Sequence, residues 1–263
     1  MLVVSVLFVL PLLIMVTGSL RPLGQAAPRT PELVPTQPAL GNYGQAFDLV
    51  DIPHQIRNSL IVVVLAVPLT LLVASLAGFA MARLPRRIAS ALVVASFVAL
   101  MVPTTALIVS RLAMFRAIGA TDTFVPLVAP SLMGTSPFYV LLFYWSFRRI
   151  PVELYEAAEL EGAGPLAMWW RVGLPLVKPI TVAVGVLAFV VTWSNFLDPL
   201  VYLSDPDRFT VPLGLQQLAQ LDRINYPLFL AGAVAATIPV VLAFLVVQRQ
   251  FLGEHRGTGF LGR

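Results

Sequence analysis

The sequence predicts an all-α, polytopic membrane protein with six transmembrane helices. Two observations carry this prediction. Of 263 residues, 58% are hydrophobic and only 11% charged, against roughly 45–50% and about 25% in ordinary soluble domains. With a mean hydropathy of +0.87, too little polar surface remains to cover a globule, so most of the chain must meet lipid. The second observation is that six stretches free of Asp, Glu, Lys and Arg reach 18 residues: 1–20, 58–82, 88–110, 123–147, 179–197 and 224–248. A helix needs about 20 apolar residues to cross the hydrocarbon core and a barrel strand only ~9–11, so runs of this length favour helices.

Taken in order, the first window starts at Met1 without a basic n-region, and no convincing cleavage site precedes Arg21, although Ala26-Ala27-Pro28 follows it. A span is therefore expected there in preference to a cleaved signal peptide. The next charge-free run, 33–47, carries Pro35, Pro38, Gly41 and Gly44 and reads as loop. In the second window Ala66, Thr70, Ala74, Gly78 and Ala82 recur every four residues, a face that lets helix backbones approach closely in lipid. It fits bundle packing within the chain and an interface with another subunit alike. Prolines at 11, 68, 103, 126, 130, 137 and 239 lie in or near the spans, where transporters tolerate broken backbone hydrogen bonds.

The connections fix the orientation. One alternating set (83–87, 148–178, 249–263) holds ten basic residues in 51 positions and the other (21–57, 111–122, 198–223) seven in 75. The denser set is expected on the cytoplasmic side, which puts both termini inside. The whole chain, 1–263, is then one transmembrane domain, with a 37-residue outer loop after the first span and a 31-residue inner loop, 148–178. Both exceed what a helix hairpin needs.

Several chemistries are excluded. The chain has no Cys, and its two histidines, His54 and His255, lie outside the spans, so neither a metal site nor a catalytic triad is expected in the bundle. The single Lys178 precedes Pro179, so no phosphate-loop ATPase can be built here. Gly257, Gly259 and Gly262 match a dinucleotide fingerprint in spacing, but the sequence stops at Arg263, before any helix that could hold a pyrophosphate. Sixteen arginines without a basic run give no expectation of nucleic acid. Charge-free spans disfavour proton coupling. A transporter or membrane organiser that draws its energy from a partner is the reading left.

The inner loop contains Pro151-Val-Glu-Leu-Tyr-Glu-Ala-Ala-Glu-Leu-Glu-Gly162. Proline at the start, Glu153 and Glu156 near the positive end of the dipole and Gly162 as a stop predict a short surface helix, with Gly162 left-handed. A second short helix can start at Pro165, with Trp169, Trp170 and Arg171 suited to the membrane interface. Ala157 and Ala158 leave one flank without bulk, which suits a cleft in another protein; a simple interfacial connection between two spans fits the same residues as well.

Glu156-Ala157-Ala158-x3-Gly162, continued by Gly173-Leu174-Pro175-Leu176 and Lys178-Pro179, resembles the EAA loop of binding-protein-dependent ABC importer permeases. Asn58-Ser59-Leu60, Met101-Val102-Pro103, Gly119 with Thr121 to Thr123, Leu203-Ser204-Asp205-Pro206, Val211-Pro212-Leu213-Gly214-Leu215 and Ala231-Gly232-Ala233 are similar to the carbohydrate-uptake branch, on the pattern of its maltose-type second permease subunits. The resemblance implies a type I permease subunit of a bacterial or archaeal inner membrane. It also implies a homologous second permease subunit, two cytoplasmic ATPase subunits that bind ATP and Mg, and an extracytoplasmic solute-binding protein. The chain itself then holds no cofactor and no catalytic residue. Glu156, Ala157, Ala158 and Gly162, with Glu153 and Glu159 secondary, are the implied ATPase-coupling residues. Where the family often has Trp-Asn-Glu-Phe this chain has Trp193-Ser194-Asn195-Phe196, followed by Asp198, so polar contacts there are expected to differ. The short basic segment that usually precedes the first span is also missing, as from a truncated or misassigned start.

Sugar sites combine aromatic stacking with polar hydrogen bonds. The spans offer Tyr139, Tyr144, Trp145, Trp193, Ser194 and Asn195 for a substrate pathway. Rival readings are a permease for a polyol or glycerophosphodiester, and a non-transport membrane scaffold.

Overall fold

The computed structural model describes residues 2–24, 37–132, 136–221 and 225–254, with side chains described between 7 and 248. His255, the tail glycines, Ala26-Ala27-Pro28, Pro35, Asp222 and Arg223 lie outside the described residues. Those described form helices and connections without a strand. In chain order the helices are α1 (Leu2–Ser19), α2 (Gly41–Val50), α3 (Ile52–Arg83), α4 (Arg86–Leu100), α5 (Ile108–Ala117) and α6 (Val125–Leu132). They continue as α7 (Pro137–Phe147), α8 (Val152–Leu160), α9 (Lys178–Trp193), α10 (Leu197–Tyr202), α11 (Val211–Leu221) and α12 (Tyr226–Glu254).

Among the described residues three helical stretches are long and apolar enough to cross a membrane: Ile52–Arg83, Val125–Phe147 and Tyr226–Gln248. Two bent pairs raise the number to five, and α1 adds a shorter apolar helix. The window 88–110 is not one straight helix. Arg86–Leu100 and Thr104–Ala117 meet at 78°, because Pro103 lacks an N–H and pushes the residue before it out of helical geometry. Pro165–Leu176 meets Lys178–Trp193 at 86°. The window 179–197 also ends early, at Trp193. There Asn195 Oδ1 accepts the Asp198 N–H at 3.3 Å while Nδ2 donates to the Asp198 carboxylate at 2.8 Å, which favours a turn over continued helix.

Contacts group the chain into two compact units, Met1–Ile61 with Asn195–Phe244, and Val62–Ser194 with Leu245–Arg263. In the first, the expected loop 33–47 is corrected: Gly41–Val50 is helical. Local turn signals are overridden by tertiary contacts. Asn42 Nδ2 donates to the carbonyls of Ser19 and Arg21, both at 2.7 Å, and Tyr43 Oη lies 2.7 Å from Ser19 Oγ. Ala46 and Val50 join Ile52, Leu218, Ala231 and Ala235 in the core. The 201–223 connection is likewise built structure. Its apolar stretch is helix α11, whose Val211, Leu213, Gly214 and Leu218 are buried.

The second unit centres on α7, against which α4 and α9 pack. Phe143 stacks on Phe147 at 5.9 Å, and Phe79 of α3 meets Phe147 edge-on at 5.3 Å. Gly78 lies in the same packing: a Cβ there would sit 2.6 Å from Phe143 Cβ and 2.8 Å from the Tyr144 backbone nitrogen. For Ala74 and Gly78, packing within the chain thus accounts for the small-residue face. Trp169 corrects the interfacial expectation, being 5% exposed and part of this core, whereas Trp170 is 64% exposed. Both lie in a π-helical turn over Met168–Gly173, and because successive helical residues point in different directions, one indole turns inward and the other stays out.

Candidate coupling site

Helix α8 begins after Pro151, carries Glu153 in its first turn and ends on Gly162. Gly162 adopts φ +82°, its N–H donates to Glu159 O at 2.9 Å, and the Ala163 N–H reaches Ala158 O at 2.9 Å. This pair of bonds is a Schellman motif, which satisfies carbonyls the last turn would otherwise leave open.

A helix advances 100° per residue, so Tyr155, Ala158 and Glu159 share one face and Glu153, Ala157 and Leu160 the opposite one. The inner face is anchored: Tyr155 is buried, and Ala158 packs against the core of its unit. The outer face carries Leu160 at 92% exposure, with Glu153, Glu156 and Ala157 exposed around it. The two alanines therefore do different work, Ala158 allowing close seating on the chain's own core and Ala157 leaving the outer face low.

Glu159 is already engaged. Arg83, the last residue of α3, donates from Nη2 to Glu159 Oε1 at 2.5 Å. The same guanidinium lies 5.3 Å from the Tyr155 ring and 5.7 Å from the Phe79 ring, and its Nη1 donates to Met168 Sδ at 3.4 Å. With side chains 33% and 51% exposed, the ion pair alone contributes about 0–1 kcal/mol. Burial pushes the Tyr155 phenol above its ordinary pKa, and the positive charge of Arg83 pulls the other way. The Tyr155 hydroxyl and the Trp169 indole N–H are buried without a hydrogen-bond partner among the described residues.

The substrate-pathway candidates are placed as follows. Tyr139 and Tyr144 are buried in the core of the second unit, and Tyr144 Oη accepts from Arg148 Nη1 at 3.3 Å. Trp193 is buried and stacks on Phe189 at 5.8 Å. Ser194 is exposed, with Oγ donating to Val190 O at 2.7 Å, and Asn195 is committed to Asp198. Trp145 is 42% exposed beside Phe97. Among the described residues no group of three His, Asp or Glu side chains could hold a metal.

A second polar cluster escaped sequence reasoning. Asn58 Nδ2 donates to the carbonyls of Asp207 (2.9 Å) and Phe209 (3.0 Å), Ser59 Oγ accepts the Val211 N–H at 2.9 Å, and His54 Nε2 lies 2.7 Å from Asp207 O. Within the first unit the start of α3 thereby holds the segment 205–211. Asn58 and Ser59 stand in the second turn of α3, and the signal was their residue type, whose side chains commonly bond backbone.

Helices long and apolar enough to cross a membrane, together with bent helix pairs, mark the chain as a polytopic membrane protein. Residues 71–251 match the family described as binding-protein-dependent transport system inner membrane component, and the chain belongs to it. It is 29% identical to the lactose transport system permease protein LacG of Rhizobium radiobacter, covering 82% of this chain and 79% of the relative. Identity is also 29% to the diacetylchitobiose uptake system permease protein NgcG of Streptomyces coelicolor (97% and 85% covered) and 27% to the maltodextrin transport system permease protein MdxG of Bacillus subtilis (98% and 92%). A crystal structure of a bacterial ABC transporter involved in the import of the acidic polysaccharide alginate contains a chain with the same fold, at TM-score 0.73 and 19% identity over 95% of this chain and 92% of that one.

Proposed function

We propose that this permease imports a sugar or oligosaccharide, with α8 as the helix through which ATPase subunits drive it. The carbohydrate cargo rests on the relatives, whose names specify lactose, diacetylchitobiose and maltodextrin. The coupling role rests on one observation, the free outer face of α8 set against an inner face fixed to the bundle. Leu160 is an apolar knob for a cleft, Ala157 lets the backbone approach, and Glu153 and Glu156 meet basic residues at the cleft rim. Gly162 ends the helix sharply enough to keep the following turn out of the cleft. A homologous second permease completes the pathway, ATP and Mg²⁺ are held by the ATPase subunits, and this chain contributes no catalytic group. Substrate arrives from a binding protein seated near the segment 205–211. The loop 148–178 and both termini face the cytoplasm.

The test uses the absence of native cysteine. Single cysteines at Ser204 and Glu161 in intact cells should react and be protected, respectively, toward an impermeant thiol reagent. Capture by a tag on this chain should retrieve ATPase subunits, and Glu156→Lys should lose them. Uptake of lactose, maltodextrin and diacetylchitobiose then assigns the cargo. Equal labelling at both sites, or unchanged capture by Glu156→Lys, would overturn the coupling assignment.

A further inference from the structure

We infer that Arg83 is a positioning residue for transport, the latch that fixes the coupling helix to the membrane helix α3. The inference rests on α8 being the coupling helix and names the part that passes its displacement on. Helix α8 is short and sits on the core through Tyr155 and Ala158. Apolar contacts of this kind are non-directional and allow one element to slide over another. The pair Arg83–Glu159 is directional, and it is the one ion pair that α8 makes among the described residues.

Arg83 is suited to the task by position and by what surrounds it. It closes a helix of 32 residues, at the end where a cation is favoured by the helix dipole. Its guanidinium lies over the rings of Phe79, one turn earlier on the same helix, and of Tyr155 on α8. Tyr155 and Phe79 also meet each other edge-on at 5.9 Å. The third contact, to Met168 Sδ, ties in the π-helical turn that leads toward α9. One planar group thus touches three segments, and a lysine, with a point charge and no plane, could not reproduce all of these contacts. Glu159 therefore acts toward its own chain, and Glu153 and Glu156 are the carboxylates left for the partner.

The experiment follows amide hydrogen exchange in the purified full complex in lipid nanodiscs, alongside capture of ATPase subunits. Arg83→Ala should speed exchange over 152–163 at least tenfold, leave 137–147 within twofold, and retain the ATPase subunits. Glu159→Arg alone should behave the same way, and the reversed pair Arg83→Glu with Glu159→Arg, which restores the ion pair but not the contacts to Phe79, Tyr155 and Met168, should recover part of the lost protection. MgATP with vanadate should alter exchange over 76–83 in the unsubstituted complex and leave it unaltered in Arg83→Ala. Unchanged exchange over 152–163 in Arg83→Ala, no recovery in the reversed pair, or a vanadate response that survives Arg83→Ala or is missing from the unsubstituted complex would each overturn the latch. Failure of the coupling-helix reading shows separately, as ATPase subunits that stay bound to Glu156→Lys.

Discussion

Gly78 and Gly185 look alike in sequence, each a glycine inside an apolar helix, yet the structure gives Gly→Ala opposite signs at the two. At Gly78 the added Cβ meets Phe143 Cβ at 2.6 Å, Tyr144 N at 2.8 Å and Val140 O at 2.9 Å. Carbon contacts settle near 3.5–4.0 Å, so α3 and α7 must part by about 1 Å, and two of the three obstacles are backbone atoms that cannot rotate away. Overpacking of this kind costs roughly 1–3 kcal/mol, and the better helix propensity of Ala returns up to about 1 kcal/mol, leaving a net loss of up to about 2 kcal/mol. At Gly185 the nearest atom is Leu71 Cδ1 at 3.6 Å, an ordinary contact, so Gly185→Ala keeps the propensity term and gains about 0.5–1 kcal/mol. The two variants should differ by about 2 kcal/mol, roughly thirtyfold in the unfolding equilibrium. Detergent-titrated unfolding by SDS, followed through tryptophan fluorescence, reads this as midpoints displaced to opposite sides of the unsubstituted protein. Equal midpoints, or a stabilised Gly78→Ala, would refute the close approach of α3 and α7.

Three further outcomes are expected. Gly162→Val places a Cβ in open space at φ +82°, so its cost is backbone strain of roughly 1–2 kcal/mol; the chain should reach wild-type abundance in membranes while tag capture of ATPase subunits drops sharply. Asn58→Ala strips the donor from two carbonyls at a buried position, a loss of about 1–3 kcal/mol, visible as faster hydrogen exchange and proteolysis over 203–212. Tyr155→Phe keeps the ring beside Arg83 and removes a buried hydroxyl without a partner among the described residues, so melting should be unchanged or improved by up to about 1 kcal/mol; a loss of more than 1 kcal/mol would mean that the hydroxyl is bonded after all.

The sequence was most legible where the chemistry is local or absolute. Exclusion of charge from lipid marked the apolar windows, and the stop at Gly162 could be read because capping depends on a few adjacent residues. Legibility failed where distant contacts decide. The glycines of 41–50 signal a turn, yet Asn42 and Tyr43 bond to residues more than 20 positions earlier and draw the segment into a helix. Glu159 reads like its neighbours Glu153 and Glu156 until Arg83, 76 residues away, is found beside it. Trp169 and Trp170 are adjacent letters, and only the direction in which the helix face meets the core separates their fates. The bends before α5 and α9 lie beside Pro103 and Pro179, but neither span was expected to bend, and a proline in any case gives a place and not an angle.

The engagement of Glu159 changes how α8, in its proposed coupling role, presents itself at a distance. Of its acidic side chains Glu153 and Glu156 are left facing water, beside an apolar centre at Leu160. An arrangement of this kind separates arrival from residence, since the carboxylates accelerate encounter with a basic groove and are screened by salt, whereas the leucine acts after contact and is not. Assembly of the complex should therefore slow as ionic strength rises, with its dissociation little altered. A groove that has lost its rim charges would still hold this permease, but would take longer to find it.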